Sequence, residues 1–285
     1  MELAILFGIT AIGLIWFLSR STRRRYKHLR YRRLSFPAAW KQILLQEMPY
    51  FQLLPARLQR QLQTLIQIFV AEKSFVGCHG LEVTDQMRVL IAAQACLLLL
   101  NRNTEIFPNL TEILIYPDAF IVEREVASEG NIVHSVRATV SGESWADSRV
   151  ILSWVDVTQS AANPGDGFNV VVHEFAHQLD HESGAMNGAP AFTDSEQASE
   201  WAQVLSREFD HLRDQVERDN DSLLDAYGSQ NPAEFFAVVS EVFFEQPGRL
   251  NTEHPFLYAE LSRYYQVNPL RWFESVVDSR TEETP

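Results

Sequence analysis

His173, Glu174 and His177 lie in the run VVVHEFAHQLDH, which constrains this chain more than any other stretch of its 285 residues. Residues four apart on an α-helix are related by about 400° of rotation, so both imidazoles leave one face within reach of a single cation. Val170, Val171, Val172, Phe175, Ala176 and Leu179 make the segment apolar around most of its circumference. Two imidazoles and a carboxylate are therefore expected to be buried together. Buried polar groups without partners cost a few kcal/mol each. A chance HExxH on a solvent-facing helix would not meet that cost, and a bound Zn2+ removes it. Glu174 stands one step around from the first histidine, where a carboxylate takes the proton of a metal-activated water without ligating the metal.

The loop Asn163-Pro164-Gly165-Asp166-Gly167 precedes the helix, with Asp166 or Asn169 as the expected cap. The extended pattern with Gly three residues and His six residues after the second histidine is absent, since Asp180 and Ser183 occupy those positions. Asp180 and His181 follow locally, but a continuous helix carries them beyond the metal. Asp180 is expected instead to accept an imidazole N–H. A second helix, beginning at Asn231 and Pro232, offers Glu234 and Glu241 on one face, and either would complete a His, His, Glu set. The Asn-Pro-Ala-Glu run is also an ordinary helix start, with Pro at the first position and a carboxylate favoured at the third. Phe235 and Phe236 imply that this start is buried, and a first-turn ligand approaches from the helix end without collision. Glu241 lies about 10 Å further along the axis. Glu234 is accordingly the expected third ligand, and Glu241 the expected partner of an imidazole or backbone group.

With 46% hydrophobic and 21% charged residues, the chain can bury a substantial core without staples. Cys78 and Cys96, in no metal-binding spacing, read as free thiols in a reducing compartment. Apolar positions at three- and four-residue spacing predict helices over 40–48, 55–70 and 84–100, the last largely buried and capped by Thr84 or Asp85. Residues 112–126 read as two short strands about Pro117-Asp118, and strand character continues over 133–140 and 149–157, with SGESWADS as a turn between. The expected fold is therefore α+β and zincin-like: a helical first part, a small mostly antiparallel sheet, the HExxH helix and C-terminal helices. The strand 149–157 is a plausible edge for a peptide added by β-pairing, while Trp154 and Asp156 read as core and turn residues.

The first eighteen residues are of another kind. Leu3 to Leu18 carry no charge, and sixteen helical residues reach roughly 24 Å, a marginal membrane span that Trp16 and the following basic side chains can complete. A cleaved signal peptide would carry its positive charges ahead of the apolar run; here Arg20, Arg23, Arg24, Arg25, Lys27, Arg30, Arg32 and Arg33 follow it. Such flanking charge stays on the cytoplasmic side, which leaves the body cytoplasmic. The cluster fixes topology and adds adhesion, with recognition of anionic lipid as the alternative. Residues 1–36 carry a charge of +7, so the remainder carries −20 of the total −13. A body that acidic is not expected to bind nucleic acid. The division expected is an anchor over 1–19, a basic juxtamembrane segment over 20–36, a zinc peptidase domain over 37–275 and a flexible tail over 276–285.

At HEFAHQLDHESGAMNGAP, with NPAEFFAVVSEVFF downstream and Tyr227 between, the chain resembles the Mlc titration factor A family of zinc peptidases, gluzincin-like in site design and related to the anthrax lethal factor type. The resemblance spans about Trp40 to Trp272. It implies His173, His177 and Glu234 as ligands of one Zn2+, Glu174 as general base, and Tyr227 as donor to the oxyanion of a scissile peptide bond. A packed tyrosine at a helix end is the plainer reading of Tyr227. The resemblance also implies aminopeptidase-type activity on a peptide or protein substrate, and a cytoplasmic regulatory partner of the glucose-repressor kind. The membrane anchor sets this chain apart from the soluble family member. A binding protein that sequesters such a partner is the competing function, against which the intact Glu174 argues.

Overall fold

The computed structural model describes residue 31 and residues 34–272, apart from 103, 119, 129–131, 141, 146, 147 and 193; within 119–147 only the backbone is described. Contacts divide the chain into a unit of residues 1–37 and a unit of residues 38–285, and the account below concerns the second. The anchor expected over 1–19, most of the basic segment 20–36 and the tail 276–285 lie outside the described residues. Among the described residues, no helix is long and apolar enough to cross a membrane.

Three helices come first: α1 (Ala38–Glu47), α2 (Tyr50–Leu53) and α3 (Ala56–Glu72). The stripe Leu58, Leu62, Ile66 and Phe69 is buried, as a 3.6-residue period requires of a helix lying on a core. A short strand, β1 (Ser74–Gly77), leads to α4 (Asp85–Leu97). Thr84 caps α4, its hydroxyl accepting the Met87 N–H at 3.3 Å, and every residue from Val89 to Leu97 is buried.

The sheet runs β1–β2–β6–β5, with β2 Glu112–Tyr116, β5 Gly142–Trp145 and β6 Arg149–Ser153. Strands β1 and β2 are parallel, as are β2 and β6, and only β5 with β6 is antiparallel in this sheet. A mostly antiparallel sheet was the expectation, and the parallel pairs β1–β2 and β2–β6 overturn it. Parallel neighbours need a long crossover, and α4 supplies it between β1 and β2. Without a strand at Ser74–Gly77, the same sequence reads as a run of hairpins. A separate antiparallel pair, β3 (Phe120–Ser128) and β4 (Ile132–Val140), intervenes between β2 and β5 with Phe120 opposite Val140.

Two further expectations are corrected here. SGESWADS contains β5 rather than only a turn, and the strand expected over 149–157 stops at Ser153. The Ser153 hydroxyl then accepts the Asp156 N–H at 3.4 Å and starts α5 (Trp154–Ala162). Since β6 lies between β2 and β5, it offers no edge for a peptide; the outer strand on that side is β5.

The second half is helical: α6 (Val170–His181), α7 (Ser195–Glu217), a 3-10 turn (Ala226–Ser229), α8 (Pro232–Glu245), α9 (Pro247–Glu253) and α10 (Pro255–Tyr265). Helix α6 packs along α8 and against α4, β5 and β6. Phe175 anchors it, its ring 4.7 Å from Phe107 and 5.7 Å from Phe69 between centroids. Cys96 is buried and Cys78 half-buried, both as free thiols.

Candidate metal centre

Helix α6 begins at Asn169, whose side-chain oxygen accepts the Val172 N–H at 3.0 Å. The same residue is held from α8 twice. Its backbone N–H donates to Glu241 Oε2 at 2.6 Å, and its side-chain amide donates to Glu245 Oε1 at 3.0 Å. Glu245 Oε2 also accepts the Gly165 N–H at 2.8 Å. Two carboxylates one helical turn apart thus fix the entry to α6. Glu241 was expected to hold an imidazole or backbone group; the role of Glu245 is not visible in spacing, and its one available signal was its place in a helix rich in Phe, Val and Ala.

Three side chains converge on this frame. His173 Nε2 lies 3.3 Å from His177 Nε2 and 3.2 Å from Glu234 Oε2, and His177 Nε2 lies 3.3 Å from the same oxygen. Among the described residues, these three are the group of His, Cys, Asp or Glu side chains placed to hold a metal ion. Donor atoms of a tetrahedral zinc shell, with bonds of about 2.0–2.1 Å, stand about 3.3 Å apart. The spacing of the triad matches that figure on all three sides.

Electrostatics point the same way. His173 Nδ1 is 2.7 Å from Glu241 Oε1, so the ring donates its Nδ1–H to Glu241 and presents Nε2 to Glu234 and His177. Burial alone would depress the His173 imidazolium, but the charge and hydrogen bonds of Glu241 and Glu234 outweigh it and hold its pKa well above the ordinary value. Burial likewise opposes ionisation of Glu234, and the hydrogen bonds from His173 and His177 more than reverse this, holding the carboxyl well below its usual range. Three acceptor-bearing groups are thus gathered around a point that calls for positive charge. A proton meets the demand partly; a divalent cation meets it for all three. His177 Nδ1, also buried, has no hydrogen-bond partner among the described residues.

Glu174 is buried at 4% exposure, one residue after the first histidine. Tyr227 lies in the 3-10 turn, which Asp225 caps by accepting the Tyr227 N–H at 2.7 Å. The Tyr227 ring sits 5.9 Å from the His173 ring and is 45% exposed, so it is not a packed core tyrosine. Asp180 does not bond an imidazole as expected: its Oδ2 accepts the Gly188 N–H at 2.8 Å. A backbone donor on the following loop reaches it, while His177 brings its Nε2 to Glu234. His181, the last residue of α6, is not among the converging groups.

A helix carrying HExxH, with a carboxylate delivered from a second helix, defines the class of candidate metallopeptidases. Comparison with known proteins narrows this. Residues 19–266 match the family described as glucose-regulated metallo-peptidase M90, and the chain belongs to that family. It is 39% identical over 269 residues to an uncharacterized protein of Synechocystis sp., covering 94% of this chain and 96% of that one. It is 33% identical over 251 residues to Mlc titration factor A of Serratia proteamaculans (87% of this chain, 94% of the relative). With Mlc titration factor A of Klebsiella pneumoniae it shares 35% identity over 235 residues (81% and 87%).

Proposed function

We propose that this protein hydrolyses peptide bonds with one Zn2+ held by His173, His177 and Glu234. The observation that carries this reading is the triad of donor atoms, each 3.2–3.3 Å from the other two, with the far nitrogen of His173 already committed to Glu241. Bound there, zinc would supply Lewis-acid activation of water and of the scissile carbonyl. The chain's own groups do the rest. Glu174 takes the proton of the attacking water and delivers it to the leaving amine, a role suited to a buried carboxylate beside the ligands. Tyr227, half-exposed over the His173 ring, donates its hydroxyl proton in a hydrogen bond to the developing oxyanion. Glu241 holds the His173 ring in one tautomer. A substrate strand would lie along β5, the outer strand, which packs against α6.

The test is metal analysis of the purified chain, joined to hydrolysis of a peptide library by wild type and Glu174→Gln. Zinc in both proteins and turnover only in the first is the expected result. Turnover retained by Glu174→Gln would favour a second reading, that the chain is a binding protein acting on a regulatory partner. That reading draws on the relatives named Mlc titration factor A, a name that speaks of Mlc being titrated. We further propose that the apolar run 3–18 and the basic residues after it hold the catalytic body at the cytoplasmic face of a membrane.

A further inference from the structure

Gly188 touches both halves of the triad's scaffold without touching the triad. Its N–H donates to Asp180 Oδ2 at 2.8 Å, and its carbonyl accepts from Trp201 Nε1 at 2.9 Å. Asp180 is fully buried on α6, three residues after His177, and Trp201 is 1% exposed on α7. The third side of Gly188 faces Pro232, the first residue of α8. A Cβ built on Gly188 would lie 2.3 Å from the Pro232 carbonyl oxygen and 2.9 Å from its carbon. The backbone there has φ +73°, in the left-handed region that favours glycine.

Pro232 stands two residues before Glu234, and the link between them is stiff. Asn231 accepts the N–H of Ala233 and of Glu234 through one side-chain oxygen, each at 3.0 Å. Whatever displaces Pro232 therefore displaces Glu234. Relieving a 2.3 Å approach to an ordinary contact of about 3.4 Å requires a shift near 1 Å, whereas metal–ligand distances tolerate about 0.2 Å. Moving the loop instead would break two buried hydrogen bonds, to Asp180 and from Trp201.

We propose that Gly188, gripped by Asp180 and Trp201, is the gauge that sets the distance between Glu234 and the two histidines. A loop outside the ligand set then determines metal affinity. The inference rests on the reading of His173, His177 and Glu234 as metal ligands. Asp180 and Trp201 are positioning residues, and their effect is exerted through Gly188 and Pro232.

The experiment compares wild type, Gly188→Ala, Asp180→Asn and Asp180→Ala in the full chain. Zinc affinity is read by chelator competition, ligand geometry by the visible absorption of bound Co2+, and the fold of the metal-free protein by circular dichroism and its unfolding transition. Gly188→Ala should bind zinc at least about 30-fold more weakly and give an altered cobalt spectrum, while the metal-free protein still unfolds cooperatively, because a ligand-to-metal distance is lost and not the core. Asp180→Asn keeps an oxygen for the Gly188 N–H and should stay within a few-fold of wild type; Asp180→Ala should fall with Gly188→Ala. Wild-type zinc affinity and cobalt spectrum in Gly188→Ala would overturn the gauge. If Gly188→Ala does not fold, the Asp180 pair decides: loss in Ala with rescue in Asn supports the gauge, and equal affinities overturn it. Failure of the wild-type chain to bind zinc or cobalt overturns the underlying metal reading, and the gauge with it.

Discussion

Glu234 and Glu241, two turns apart on α8, address opposite nitrogens of one imidazole: the first lies 3.2 Å from His173 Nε2, the second 2.7 Å from its Nδ1. The two carboxylates thus have unequal tasks. Glu234→Gln should lose zinc almost completely, because a neutral amide is a poor ligand at a site where charge was matched. Glu241→Gln should weaken zinc by about 10- to 100-fold, the usual cost of an outer partner of a ligating histidine. Bound zinc after dialysis against graded chelator measures both, and the reverse order would sink the assignment.

Glu174→Gln should keep its zinc and lose activity by about 100- to 10,000-fold, the range over which a positioned acid–base group acts. The side chain keeps its size, and no proposed ligand is touched. Steady-state hydrolysis alongside metal analysis of the same sample checks the claim; equal turnover with full zinc would count decisively for a binding protein.

Deleting residues 1–33 should release a soluble, folded, zinc-containing domain, since the second unit begins at Ala38 and the core begins with side chains such as Leu44 and Met48. The full chain should sediment with membranes and resist extraction by alkaline carbonate. A truncated chain that still sediments with membranes, or that aggregates without zinc, contradicts the assignment of residues 1–19 as a mere anchor.

Glu245 gives the stability a pH dependence. Burial raises its carboxyl from 4.5 to about 7, against the opposing hydrogen bonds from Gly165 and Asn169. The folded chain therefore binds more protons than the unfolded one between about 4.5 and 7. The contribution of this group is fully present below that window and fades as the pH rises through it, by about 3 kcal/mol in total at about 1.4 kcal/mol per unit. Glu245→Gln carries no such titration. The difference in unfolding free energy between wild type and this variant should slope downward from pH 4.5 to 7, and a flat difference would refute the shift.

Residues that act through spacing on one helix were legible in the sequence: the HExxH face, the Thr84 and Asn169 caps, and the buried run before Asn101 all follow from a 3.6-residue period and from capping chemistry. The parallel pair β1–β2 was not, because Ser74–Gly77 is four residues long and alternates between exposed and half-buried positions, too short to outweigh the helices around it. The end of β6 was missed for a related reason. Trp154, Val155 and Val157 have strand-like side chains, and only the Ser153 cap turns them into a helix. At the site, Asp180 was assigned to an imidazole because sequence distance alone cannot see that the loop after α6 returns a backbone N–H to it. Gly188 and Glu245 had no periodic signature, since their importance lies in contacts across 44 and 76 residues, to Pro232 and Asn169.

The double hold of Glu241 and Glu245 on Asn169 bears on how this molecule breathes. With its first N–H and its cap amide both tied to α8, the opening turn of α6 cannot fray as an ordinary helix terminus does. The amide hydrogens of Asn169 and of the turn it begins should therefore exchange with solvent only when α8 also lets go. The two helices would leave the native state together, as one cooperative step, and His173 and His177 would never be exposed one at a time.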